Sequence, residues 1–377
     1  MTSPQPEFPP LPVHDPEVRT RHLLALPDGV GVDELEVLAI SRFPAAAWET
    51  MPGVQVRRSG GGRGARSLAA STGVLRVSRL STLTGPYSVT SADAVSLGLP
   101  AVTTTIYDVR CPRERGEPPY PGGDRDGLKR AFADAMPVRE EERVLLWLVA
   151  AARRLGGAVR TGERGVVLRP DLDATIDLTV FTDRWLEPDE LLAVVQHVVP
   201  RARLAMEGVP WHGPADDAGR RAASGLAELG VPEPGGRGLR KALERHGVSD
   251  ERRRRHLAAE ADAFDGAVLS EPVVLEGYGA LVDLGVDGMI AVEVGGEEAL
   301  PPLLRGLPWA AGGALAYRVR WEPTDVEELE LERPSFAHRV ARGRAMPHVH
   351  SIARALQGVV GGEIADAGEF LINPGDL

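Results

Sequence analysis

"GLPAVTTTIYDVRCP" (98–112) and "GLPWAAGGALAYRVRWEP" (306–323) carry the same landmarks in the same order, and that likeness decides the fold. Each opens on Gly-Leu-Pro, passes through a tyrosine and ends at a proline. Tyr107 and Tyr317 lie 210 residues apart, and the same offset relates Ala135-Met136-Pro137 to Ala345-Met346-Pro347. A helical pattern follows each tripeptide and stops at a glycine pair, Gly156-Gly157 and Gly361-Gly362. Two short apolar runs and a proline then close each stretch: "GAVRTGERGVVLRP" (157–170) against "GEIADAGEFLINP" (362–374). A single match would mean nothing. Five in register mark an internal duplication.

The physics of one unit is legible. Val102 to Val109 is β-branched and alternating, as a strand requires. Pro137 suits a first helical turn, where its missing N–H costs nothing, and Pro347 is expected to open its helix in the same way. Glu140, Glu141 and Glu142 favour the positive end of the helix, Arg153 and Arg154 the negative end. Val144, Trp147, Leu148, Ala151 and Leu155 form one apolar face, matched by Val349, Ile352, Ala353, Leu356 and Val360. A hairpin follows, and before each tyrosine strand come another strand and a helix, as in "GMIAVEV" and "EEALPPLLRGL". The fold class is therefore α+β: a tandem duplication of a β-α-β-α-β-β unit with helices packed on sheet faces.

Between the copies, "ATIDLTVFTD", "EPDELLAVVQHVV" and "ARLAMEG" read as strand, helix and strand, an insertion expected to extend the first sheet. Residues 209–270 mix Pro, Gly and Ala with charge and include the Arg-rich "SDERRRRHLAAEADAFDG", begun as a helix by Ser249. The division is a loose N-terminus over 1–21, a first copy over 22–208, a linker and Arg-rich helical insertion over 209–270, and a second copy over 271–377. "RRSGGGRGAR" (57–66) reads as a flexible loop.

Composition narrows the function. The 377 residues have a formal charge of −11, with hydrophobic and charged fractions of an ordinary globular chain. A net acidic surface argues against a general nucleic-acid or membrane-surface role, since phosphate binding needs a basic face. "RRSGGGRGAR" and "ERRRRH" are basic, but no aromatic residues interleave with them to stack bases. Cys111 stands alone, so neither an internal disulfide nor a cysteine zinc site is available. No apolar run is long enough to span a bilayer, and the reading is a cytoplasmic protein with no cofactor. Arginine almost replaces lysine, which reflects a high-GC genome rather than a mechanism.

The candidate sites each stand beside a plainer explanation. Asp124 and Asp126 with Gly127 begin like a calcium loop, but Leu128, Arg130 and Ala135 fall where further ligands belong, so a solvated turn accounts for them. His348 and His350 in a first helical turn would point about 200° apart, poor geometry for one metal. No metal site is expected. Cys111 has Arg110, Arg113 and Arg115 nearby in sequence, yet the second copy places Trp321 or Glu322 there, which fits a structural thiol.

The connection "CPRERGEPPYPGGDRDG" (111–127) corresponds to "EPTDVEELELERPSFAHR" and so needs no functional cause. Its stiff, mixed-charge composition nevertheless makes Arg113, Arg115, Tyr120, Asp124 and Asp126 the candidate ligand-binding residues. As an exposed ion-pairing residue, Arg115 is expected to contribute less than about 1 kcal/mol to stability. Two functions follow. The favoured one is non-catalytic recognition of a protein or a small anionic ligand. The other is an enzyme with a pocket between the copies, using Arg113, Arg115, Asp124 and Asp126 on a charged substrate.

Overall fold

The computed structural model describes residues 8–57, 67–205, 252 and 277–377. Nearly all of these belong to one compact unit, Met1–Arg203 with Ala280–Leu377; the other unit, Leu204–Gly279, lies almost wholly outside them. The 209–270 linker, its Arg-rich helix and the 58–66 part of the glycine-rich loop are likewise outside the described residues. No described helix is long and apolar enough to cross a membrane.

The protein is α+β, with two seven-stranded antiparallel sheets. The first contains β1 (His22–Pro27), β2 (Ala47–Thr50), β5 (Gly73–Arg76), β6 (Thr82–Ser88), β7 (Thr103–Arg110), β8 (Ala158–Arg160) and β9 (Val167–Leu168). Their order is β2-β5-β6-β7-β1-β8-β9, while β3 (Gly53–Arg57) and β4 (Ser67–Ser71) form a separate ribbon. The second sheet contains β10 (Leu178–Thr182), β11 (Arg203–Ala205), β12 (Gly277–Asp283), β13 (Met289–Glu297), β14 (Ala314–Glu322), β15 (Glu363–Asp366) and β16 (Leu371–Ile372). Its order is β11-β12-β13-β14-β10-β15-β16, the same pattern of strand positions as the first. The registers agree as well: Tyr107 sits opposite Leu24 and Tyr317 opposite Val180, each tyrosine on the fourth strand across its sheet.

This order corrects one expectation. The strand "LTVFT" was expected to extend the first sheet, but as β10 it lies inside the second, between β14 and β15. An alternating strand with buried Leu178, Val180 and Phe181 needs neighbours on both sides to pair its backbone, and the first sheet ends at β9 without it. The strand-helix-strand segment is therefore the beginning of the second half, not an insertion into the first. The terminal segment departs from expectation too. Leu11, Val13 and Val18 are buried with Leu23, Ala94, Leu97 and Ile106, so residues 8–21 pack on the sheet, and only 1–7 lie outside the description.

Helices cover the sheets where their apolar faces allow: α1 (Pro16–Thr20), α2 (Val32–Arg42), α3 (Ser91–Ser96), α4 (Leu128–Ala131), α5 (Arg139–Arg154), α6 (Pro188–Val198) and α7 (Phe336–Val360). Helix α5 buries Val144, Trp147, Leu148 and Ala151 on the first sheet, each side chain contributing up to about 3 kcal/mol. The Trp147 indole N–H donates to the Leu38 carbonyl of α2 at 2.9 Å and its ring meets Phe43 edge-on, so no polar atom is stranded. Helix α7 is longer than expected. It starts at Phe336, where the Ser335 hydroxyl accepts the His338 N–H, and runs straight through Pro347. Burial of Ala345, Val349, Ile352, Ala353 and Leu356 along the helix offsets the hydrogen bond that Pro347 cannot make. His348 and His350 consequently lie mid-helix. "EEALPPLLRGL" forms only a 3-10 turn at Leu304–Gly306, because Pro301 and Pro302 in succession break an α-helix.

The two halves are joined by specific contacts. Phe370, beside β16, is buried in the core of the first half. Arg42 of α2 pairs with Glu369, Asp171 with Arg342 at 2.7 Å, and Arg130 holds both oxygens of Glu332 at 3.0 and 2.7 Å. Glycines let the corner after each long helix form. Gly156 and Gly361 take positive φ (66° and 72°), and the next residues, Gly157 and Gly362, press against the carbonyl oxygens of Ala25 and Phe181. A side chain at either would drive β1 from β8 or β10 from β15. Gly157→Ala and Gly362→Ala are each expected to cost more than about 2 kcal/mol, the second carrying an added positive-φ penalty. Urea unfolding of the two variants measures this; a cost below 0.5 kcal/mol (roughly the scatter of ordinary surface changes) at either glycine would contradict the close approach.

Candidate binding cleft

The connection 111–127 turns out to be largely a joint. Gly123 abuts Glu330, and the Asp124 N–H donates to the Glu330 carbonyl at 2.8 Å, so this segment lies against the one that follows β14. The Asp124 carboxylate accepts the Lys129 and Arg130 N–H groups (2.9 and 2.8 Å) and caps α4. Tyr120 is 88% exposed and lines none of the cavities described below. Arg113 donates to the Thr20 carbonyl.

Arg115 enters a buried polar network. Glu141, in the first turn of α5, has no exposed surface. One of its oxygens accepts from His22 Nε2 at 3.0 Å; the other accepts the Glu114 N–H at 2.9 Å and Arg115. Gly162 N–H donates to His22 Nδ1 at 3.1 Å, which leaves the ring proton on Nε2 and both ring nitrogens occupied. Arg115 also bonds Glu163 at 2.9 Å and covers the Phe132 ring. Burial lowers the His22 pKa, with Arg113 and Arg115 adding to the effect against the pull of Glu141. Burial alone would raise the Glu141 carboxyl; His22, the Glu114 amide and Arg115 outweigh it and hold it below the usual range. Cys111 sits beside this network, its thiol pushed up to about 12 by burial and by Glu141, so it is a poor nucleophile. No buried side-chain nitrogen or oxygen of His22, Glu141 or Arg115 is left without a partner.

One cavity, of about 380 Å³, lies at the near end of α5, lined by Glu140 and Arg143 with Arg42 and Arg79 among others; two more lie at the far end. A cleft of about 240 Å³ is lined by Arg153 and Arg154 of α5, Asp177 ahead of β10, Met346 and His350 of α7, and Asp366 of β15, among others. A second cavity of about 170 Å³ adjoins it through Ala150, Arg153 and Gly368, and is lined also by Arg42, Arg125, Asp126 and Glu369. Of the five residues expected at a site, only Asp126 lies here. Its carboxylate bonds Arg153, and Arg125 Nε stands 4.0 Å away. Arg125 makes no hydrogen bond among the described residues, and the Nε groups of both Arg125 and Arg153 are buried without an acceptor. Arg42 feels burial first and then the like charges of Arg305 and Arg143, which destabilise its cation. Three guanidinium groups thus share two carboxylates, Asp126 and Glu369.

The cleft's other groups are tuned chiefly by burial. It raises the Asp177 and Asp366 carboxyls, and it lowers the His350 imidazole with help from Arg354. Asp366 Oδ1 accepts the N–H groups of Gly368 and Phe370 (2.8 and 3.0 Å), holding the turn that carries Phe370. Among the described residues no group of three or more His, Cys, Asp or Glu could hold a metal ion. Sequence reasoning assigned Arg153 and Arg154 to the helix dipole and passed over them. The available signal was their counterpart in the second half, Gly358-Val359, which carries no charge at all. Compared with known protein families, curated proteins and solved structures, the chain finds no match.

The network makes two measurable statements. Arg115→Ala removes one partner of a fully buried carboxylate and is expected to cost about 2–4 kcal/mol by urea unfolding, not the fraction of a kilocalorie expected of an exposed pair. The second concerns acid. His22 folds with a depressed pKa, so its contribution is present above its ordinary 6.5 and is lost as the pH falls from there towards the folded value. Glu141, also depressed, adds a further loss as the pH falls below its ordinary 4.5. Melting temperature should therefore fall with acidification from about pH 6.5, and His22→Gln should flatten the upper part of that slope. An unchanged slope in the variant would remove His22 from the account.

Proposed function

We propose that this chain is a tandem duplication that acts as a non-catalytic, cytoplasmic receptor for a small anionic ligand, held by Arg125 and Arg153 in the paired cavities. One observation carries the reading: two guanidinium groups have buried Nε–H donors without acceptors around a cavity where cations outnumber carboxylates. Buried donors are rarely left unmatched, because each unmade bond costs roughly 1–3 kcal/mol. A carboxylate or phosphate supplies acceptors and charge together, and guanidinium binds both in a planar fork. The shared strand order and register of the two sheets support the duplication. A second reading, an enzyme acting on a charged small molecule in the same cleft, draws support from Asp177 and Asp366, whose raised carboxyls would suit proton transfer.

The test is thermal unfolding against inorganic phosphate and a series of monocarboxylates. A saturable rise in melting temperature is expected, equivalent to about 2.7 kcal/mol at a hundredfold excess over Kd. Arg125→Gln should abolish the rise while changing ligand-free stability by less than about 0.5 kcal/mol, since Arg125 makes no hydrogen bond in the described structure. Identical responses of wild type and variant would refute the assignment.

A further inference from the structure

The paired cavities have a charge polarity that a simple anion leaves unused. At one side stands Arg125, which makes no hydrogen bond among the described residues and has only a long ion pair, 4.0 Å, with Asp126. On the other stands Asp177. Its Oδ1 accepts the Trp321 N–H at 2.9 Å, whereas Oδ2 has no hydrogen-bond partner and is not sealed from the cleft that the residue lines. Two cations act on the Asp177 carboxyl, Arg320 first and then Arg125; Arg320 is paired with Glu293, and Arg125 forms no ion pair with Asp177. The pair stands open, with a cavity on each side and a shared wall of Ala150, Arg153 and Gly368 between them.

An opposed guanidinium and carboxylate in a partly desolvated site would close on each other if the backbone let them. Here both ends are fixed. Arg125 follows the segment tied to Glu330 and precedes Gly127, which has positive φ (75°). Asp177 is anchored to β14 through Trp321 and leads directly into β10. Two charges held apart in this way are each satisfied by a ligand carrying the complementary pair. Burial dominates the raised carboxyl of Asp177, and an arriving ammonium would relieve it. Asp173 and Asp376 line the same cleft and add negative charge to it. His350, kept neutral by burial, does not oppose it. Each cavity is smaller than an ordinary small-molecule site of roughly 300–1,000 Å³, which calls for a compact ligand.

We infer that the ligand is a small zwitterion of amino-acid type, its carboxylate on Arg125 and Arg153 and its ammonium on Asp177, bridging the open ion pair. This rests on the anion-receptor reading above and narrows it to one substrate class.

Titration calorimetry compares 4-aminobutyrate and glycine with the matched single ions butyrate, acetate and n-butylamine on the full chain. One of the zwitterions is expected to bind at least tenfold more tightly than its matched carboxylate, with n-butylamine weaker than either. Asp177→Asn should erase that tenfold advantage and leave butyrate affinity within twofold, whereas Arg125→Gln should weaken all the carboxylates. Equal affinity for butyrate and 4-aminobutyrate, and for acetate and glycine, would overturn the zwitterion while leaving the anion receptor standing. Failure of every carboxylate and of phosphate would overturn both. The wild-type comparison decides the matter even if Asp177→Asn does not fold.

Discussion

Glu141 is a carboxylate with no exposed surface, and the placement of everything around α5 follows from how it is satisfied. It joins β1 through His22, the connecting segment through Glu114 and Arg115, and, by way of His22 and Arg115, the β8–β9 turn at Gly162 and Glu163. A buried carboxylate short of one partner costs several kilocalories per mole, so the N-terminus of α5 has little freedom to shift. The helix is a rigid rod rising 1.5 Å per residue. Fixing Glu141 at one end and burying Trp147 in the middle therefore fixes Arg153 at the other, some three turns on. The network takes no part in the proposed binding. It sets the coordinates of the residues that do.

The same rod explains which parts of the molecule were legible. The α5 face, the glycine corner and the tyrosine strands are local patterns, with periods of 3.6 or 2, and their reading from the chain agrees with the structure. The place of β10 is not local. Its partners β14 and β15 lie more than 130 residues onward, and an alternating strand carries no mark of which sheet it will join. A cue existed in the order of elements: strand, helix and strand occupy 22–50 and recur over 178–205, so the segment repeats the opening of the first half. The length of α7 was hidden by Pro347, which normally signals a helix start; Ser335 overrides it by capping twelve residues earlier. Within the cleft, Asp126 was singled out for its composition, but Arg153 was not, because its position near a helix C-terminus already had an adequate explanation.

Under the duplication reading, the differences between halves are more informative than the likenesses. The Ala-Met-Pro tripeptides do not correspond in the structure, since Pro137 precedes α5 and Pro347 lies inside α7. Counting instead from the glycine corner and from the strand registers, the counterparts of Glu141 and His22 are Met346 and Leu178. Both are apolar, and both line the 240 Å³ cleft. The fold thus tolerates either chemistry at this junction, as expected when a buried ion pair and well-packed apolar side chains of similar volume are close in free energy. In the first half the junction is filled with a closed polar network. In the second it lacks those polar side chains, and a cavity remains. Arg153 and Arg154, which have no charged counterpart in the second helix, reach that cavity from the neighbouring half. A cleft at this place then requires both departures at once: loss of the polar plug on one side and gain of arginines on the other. Under that reading two identical copies would have neither the space nor the charge, and it is the asymmetry between them that leaves a charged cleft at their junction.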